Sequence, residues 1–85
     1  MDNQKIGNFI AECRKKKGLT QKQLADEIGV TDKSISKWET GKNLPESSLF
    51  MPLRKCLGIQ VQELLLGEYI PEKNSSVNQI ESLLN

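Results

Sequence analysis

The feature that most constrains this chain is a pair of helix starts eleven residues apart with a glycine between them. Thr20 opens one helix, Gly29 closes it and Thr31 opens the next. Thr20-Gln21-Lys22-Gln23 has the form of a capping box: the threonine hydroxyl accepts from the Gln23 N–H, and the Gln23 side chain reaches back to the Thr20 N–H. Leu24, Ala25 and Ile28 follow at the spacing of one helical face. Gly29 stops that helix, Val30 is an apolar link, and Thr31 is a second N-cap candidate. Two short helices joined by a tight glycine-containing turn are what a helix-turn-helix requires.

Helical periodicity continues on both sides. Ile6, Phe9, Ile10 and Cys13 fall at i, i+3, i+4 and i+7, which predicts a first helix over about residues 3–17. Lys15-Lys16-Lys17 followed by Gly18 is a fitting end, with cations at the carbonyl end of the dipole and a glycine for the left-handed cap. That basic run reads as a solvated helix end before it reads as a binding contact. After Gly41, Lys42-Asn43-Leu44-Pro45 forms a loop. A fourth helix carries Leu49, Leu53, Cys56 and Leu57 to a stop at Gly58. Pro52 is awkward inside it, because proline removes a hydrogen bond and crowds the preceding turn, so this helix either starts late or bends. A fifth helix from Gln60 to about Leu66 presents Val61, Leu64 and Leu65. Tyr69-Ile70-Pro71 breaks the pattern, and residues 72–76 read as a linker. Val77, Ile80, Leu83 and Leu84 outline a last short helix, too short to be stable alone.

Composition narrows the function classes. The 85 residues make one small domain, with 27% charged residues and too many branched apolars for disorder. The longest apolar run, Leu64-Leu65-Leu66, is far too short to cross a membrane. Met1-Asp2-Asn3-Gln4-Lys5 lacks the apolar region of a signal peptide, so a cytoplasmic location is expected. Asn74-Ser75-Ser76 therefore matches the N-glycosylation pattern by chance. The sequence has no histidine, the commonest general base and metal ligand. It shows no Gly-rich phosphate loop and no paired carboxylates, so no enzyme, no cofactor and no metal site is expected. Cys13 and Cys56 sit at apolar-periodic positions and read as buried reduced thiols, with a disulfide or redox pair as the alternative. Charge is uneven. Residues 1–58 hold eleven basic against seven acidic side chains, net +4, while residues 59–85 hold one against four, net −3. Such a split permits a polyanion on the N-terminal body.

The third helix, about residues 31–40, carries few large apolar side chains. On a helical wheel with Asp32 at zero, Ser36, Thr40, Lys33 and Lys37 fall between roughly 40° and 140°. Ile35 and Trp38 lie opposite, at roughly 300° and 240°. The polar arc holds no Glu-Lys pair at i, i+4, which favours a contact surface over a merely solvated one.

Five ordered segments then carry a resemblance. Ile6-Gly7-x-Phe9-Ile10-Ala11-Glu12-x-Arg14-Lys15-x-Lys17-Gly18-Leu19-Thr20-Gln21 resembles the opening of the lambda-repressor-like (Cro and XRE-type) DNA-binding domains. So do Gln23-Leu24-Ala25-x-x-Ile28-Gly29-Val30, Ile35-Ser36-Lys37-Trp38-Glu39-x-Gly41, Leu57-Gly58 and Glu63-Leu64-Leu65. The resemblance covers about residues 4–67. It implies an all-α, five-helix fold over residues 1–67; residues 68–85 lie outside it and are expected, from their pattern, to form a linker and a short additional C-terminal helix. It also implies a sequence-specific regulator, a small repressor, that binds double-stranded DNA, usually as a homodimer, with the third helix in the major groove. Carried over by position, Asp32, Lys33, Ser36 and Lys37 are the base-edge candidates. Gln21, Thr31, Thr40, Lys42 and Asn43 are the phosphate or positioning candidates. Arg14 and Glu39 match a pair that the family uses as an internal salt bridge between helices one and three. Trp38 is expected at the core edge, with its indole N–H within reach of a phosphate. Arg54 departs from the pattern, standing where the family often has alanine, and Cys13 and Cys56 replace aliphatics.

Two other expectations compete. An antitoxin-type regulator would use the acidic 68–85 segment to hold a partner protein. A protein-interaction module could keep the fold without DNA binding, and the near-neutral total charge of +1 favours it. Dimerisation is expected through the fifth helix and residues 77–84.

Overall fold

The structure is a computed structural model and describes residues 1–71. Five α-helices and one 3-10 turn make it up, with no strand among the described residues: α1 Asn3–Lys16, α2 Gln21–Ile28, α3 Asp32–Glu39, the 3-10 turn Ser47–Leu49, α4 Phe50–Leu57 and α5 Val61–Leu66. The additional helix expected at 77–84, with its share in dimerisation, lies outside the described residues, as does most of the 68–85 segment.

Local chemistry sets the boundaries. Asp2 caps α1 by accepting from the Lys5 N–H at 3.0 Å. At α2 both halves of the capping box are made, Gln23 N–H to Thr20 Oγ1 at 3.0 Å and Thr20 N–H to Gln23 Oε1 at 2.9 Å. Gly29 then takes φ +76°, a left-handed conformation that costs a side-chain-bearing residue energy. Pro52 proves harmless because α4 starts late. Phe50 is its first residue, so Pro52 is in the first turn, where the N–H has no intrahelical acceptor. The preceding 3-10 turn brings the chain into register.

Packing follows the apolar faces. Ile6, Phe9, Ile10 and Cys13 of α1 meet Leu24, Ala25 and Ile28 of α2, Ile35 and Trp38 of α3, Leu53 and Leu57 of α4, and Leu64 of α5 in one core with Ile59. Helix α1 lies against α3 and α5, and α2 lies against α3 and α4. Arg54 finds a role in place of the small residue: its Nε donates to the Ile59 carbonyl at 2.9 Å, closing the turn after α4. Arg14 does the same one motif earlier, Nη1 to the Leu19 carbonyl at 2.8 Å. Each arginine satisfies the carbonyl five residues on, just past a left-handed glycine.

Candidate nucleic-acid interface

Helix α3 is an element with two chemistries. Thr31 caps it, its hydroxyl accepting from the Ser34 N–H at 3.2 Å. Ile35, fully buried, and Trp38, 4% exposed, anchor the inner side. Asp32, Lys33 and Lys37 are exposed on the outer side, and Ser36 is half-buried between them. Asp32 lies in the first turn and Lys37 in the last, each on the side of the dipole that its charge prefers. The four base-edge candidates therefore share one solvent-facing arc. Its donors and acceptors suit base edges: lysine can donate to guanine O6 and N7, aspartate can accept from a cytosine amino group, and serine can do either.

The end of α3 is closed tightly. Gly41, at φ +76°, lets its own N–H reach the Trp38 carbonyl at 3.0 Å and the Lys42 N–H reach the Lys37 carbonyl at 2.9 Å. Lys42 and Asn43 are thus held beside the helix end, both exposed. Thr40 is less available than its exposure suggests. Its hydroxyl donates to the Ser36 carbonyl at 2.8 Å, so the proton that a phosphate would need is already committed. Lys37, Asn43 and the inner Trp38 line a shallow groove with Ser34 and Glu46.

Behind the arc lies a buried ionic knot. The Glu39 carboxylate accepts from Arg14 Nε at 2.6 Å and Nη2 at 3.0 Å, a bidentate pair with side-chain exposures of only 11% and 7%. That hydrogen bonding holds the Arg14 guanidinium above its already high usual pKa, against the opposing effect of burial. A third donor completes the site: Gln21 Nε2 reaches Glu39 Oε1 at 3.0 Å. One carboxylate at the end of α3 thus gathers α1 and the start of α2, and through Arg14 Nη1 the Leu19 carbonyl between them. Gln21, expected on the phosphate side, has one of its two amide protons turned inward.

Two participants escaped the sequence reading. Glu63 is a buried carboxylate, accepting from the Gln60 N–H at 2.9 Å and the Ile70 N–H at 3.0 Å. Tyr69 lies across α1 on a different face from Arg14, with its ring edge-on to Phe9 at 4.8 Å and its hydroxyl 3.4 Å from Cys13 Sγ. Lys16 Nζ sits 4.5 Å above that ring. Glu63 stands in the Glu63-Leu64-Leu65 segment of the resemblance and forms a capping box with Gln60, but its other partner, the Ile70 main chain, leaves no trace in a sequence. Among the described residues no group of three His, Cys, Asp or Glu side chains could hold a metal, and no helix is long and apolar enough to cross a membrane.

Known proteins share this arrangement. Residues 10–64 match the family described as Helix-turn-helix. The chain is 39% identical over 59 residues to the HTH-type transcriptional activator BcrR of Enterococcus faecalis, covering 69% of this chain and 29% of that protein. It is 34% identical over 73 residues to the cryptic phage CTXphi transcriptional repressor RstR of Vibrio cholerae, covering 86% of this chain and 64% of the repressor. It therefore spans less than two thirds of either relative. Among solved structures, the restriction-modification controller protein C.AhdI of Aeromonas hydrophila superimposes with a TM-score of 0.68 at 30% identity, over 74% of this chain and 91% of that one. With five helices in this order, a turn closed at Gly29 and a matching stretch that covers most of its length, the chain belongs to the helix-turn-helix family.

Proposed function

We propose that the chain is a sequence-specific DNA-binding transcriptional regulator, acting as a repressor with α3 in the major groove of double-stranded DNA. The observation that carries this is the outer arc of α3: Asp32, Lys33, Ser36 and Lys37 together, backed by Ile35 and Trp38. Base discrimination comes from that arc. Lys42, Asn43, Thr31 and the outward N–H of Gln21 contact phosphates and set the register, with Thr40 contributing through its closure of α3. Binding is an equilibrium with no covalent step, and repression follows from occupying a promoter.

A homodimer fits this role, because two copies read two half-sites one helical turn apart. Helix α5 offers a surface for it, with Leu65 half-buried and Leu66 exposed by 52%. A cytoplasmic location fits this role. The relatives include a named activator and a named repressor, and the likeness to the repressor spans more of both chains, which supports the repressor reading.

A gel shift against DNA upstream of its own gene, at two salt concentrations, tests the function. Binding should be present at low salt and fall steeply at high salt, because lysine–phosphate contacts release counterions. Folded protein that shifts no DNA at low salt would instead support a protein-interaction module.

A further inference from the structure

The helix-turn-helix is a hairpin of two helices, closed at one end by Gly29-Val30-Thr31 and open at the other. At the open end the first residue of α2, Gln21, meets the last residue of α3, Glu39, at 3.0 Å. Between the two ends, Leu24, Ala25 and Ile28 of α2 and Ile35 and Trp38 of α3 share the apolar core. Apolar packing is non-directional, whereas a hydrogen bond to a carboxylate is directional and short. The Gln21–Glu39 bond is therefore the contact best placed to set the opening angle between α2 and α3.

We infer that Gln21 is a positioning residue for sequence readout: by holding Glu39, it fixes the angle at which α3 presents Asp32, Lys33, Ser36 and Lys37. This rests on the DNA-binding function proposed above. It differs from a simple phosphate contact in what it controls. A phosphate contact strengthens binding to every sequence alike, whereas the seating of the reading helix matters only where base edges are matched. The geometry favours the positioning role in two respects. Glu39 is already ion-paired with Arg14, so the neutral Gln21 amide adds a directional third hydrogen bond and not charge compensation. Gln21 itself is half-buried, with its amide nitrogen turned inward to the carboxylate.

The test compares wild type, Gln21→Ala and Gln21→Glu. Each is measured by fluorescence anisotropy on a duplex selected by the wild type from a random pool and on a duplex of unrelated sequence. Circular dichroism at the same temperature confirms that each variant is folded. Gln21→Ala should weaken binding to the selected duplex by about tenfold or more, the size of a lost hydrogen bond to a charged group. On unrelated DNA it should weaken binding by only roughly twofold, so the specificity ratio falls. Gln21→Glu should lower the ratio at least as far, because two carboxylates then face each other. Equal losses on both duplexes for Gln21→Ala would overturn the positioning role while leaving DNA binding intact. Wild type that enriches no duplex from the pool would overturn DNA readout itself.

Discussion

Gly7 in α1 lies against the carbonyl oxygen of Trp38 in α3, so closely that a Cβ at position 7 would overlap it and crowd the Glu39 main chain as well. The two helices cross with backbone against backbone at this point, and only glycine leaves room. The neighbours are main-chain atoms, which cannot rotate aside as a flexible side chain could. Gly7→Ala should therefore cost about 1–3 kcal/mol of stability, the range for overpacking, despite the better helix propensity of alanine. Urea unfolding followed by circular dichroism measures this. A variant as stable as wild type would show that α1 and α3 are free to separate.

The Arg14–Glu39 pair sits at the same helix crossing. Glu39 ends α3, where the helix dipole disfavours a carboxylate, and it is only 9% exposed. Removing Arg14 leaves that charge buried with Gln21 as its remaining donor. Arg14→Ala should destabilise the domain by about 3–5 kcal/mol, the usual penalty for breaking a buried pair. Replacing both partners with apolar residues of similar volume should cost much less than either single change. A double-mutant cycle on unfolding free energy distinguishes this from an additive pair, which would indicate that water reaches the carboxylate.

How much of this was legible in the sequence depends on whether the cause was local. Thr20, Gln23, Gly29 and Thr31 act on chain neighbours, so their residue types alone marked where α2 and α3 begin and end. The inner and outer sides of α3 followed from a wheel, because burial of Ile35 and Trp38 obeys the helical period. Pro52 left two options open, since the choice depended on where the loop after Pro45 delivers the chain. Gly7, Glu63 and Tyr69 were not legible. Gly7 and Tyr69 are defined by partners distant in sequence, while the partners of Glu63 are near in the chain but are main-chain groups of no particular residue type. The inward turn of Gln21 was hidden similarly, because a glutamine at a helix start looks the same whether it faces solvent or a carboxylate.

The two cysteines differ in access, and their chemistry should follow. Burial pushes the Cys13 thiol above its ordinary pKa, with the Tyr69 hydroxyl pulling weakly the other way, and burial raises Cys56 too. A raised thiol pKa means that folding favours the protonated form. Stability should be unaffected at neutral pH and decline as pH rises past about 8.5, where the unfolded chain's thiols ionise first. At pH 8 a thiol reagent should modify the half-buried Cys56 first. Cys13, 2% exposed beneath Tyr69, should react only as fast as the domain opens. Mass spectrometry of timed labelling resolves the order. Cys13 reacting as fast as in the urea-unfolded chain would contradict the packing of Tyr69 over α1.

The most direct measurement of the central claim, that the outer arc of α3 reads bases, is parallel selection from a random DNA pool with wild type and Lys33→Ala. The expected result is a defined consensus for wild type that loses its preference at one base pair in the variant, with a loss of about 1–3 kcal/mol on the wild-type sequence. An unchanged consensus with affinity lowered alike on every duplex would make Lys33 a phosphate contact. No consensus from the wild type, or one untouched by changes at Asp32, Lys33, Ser36 and Lys37 together, would contradict readout by α3.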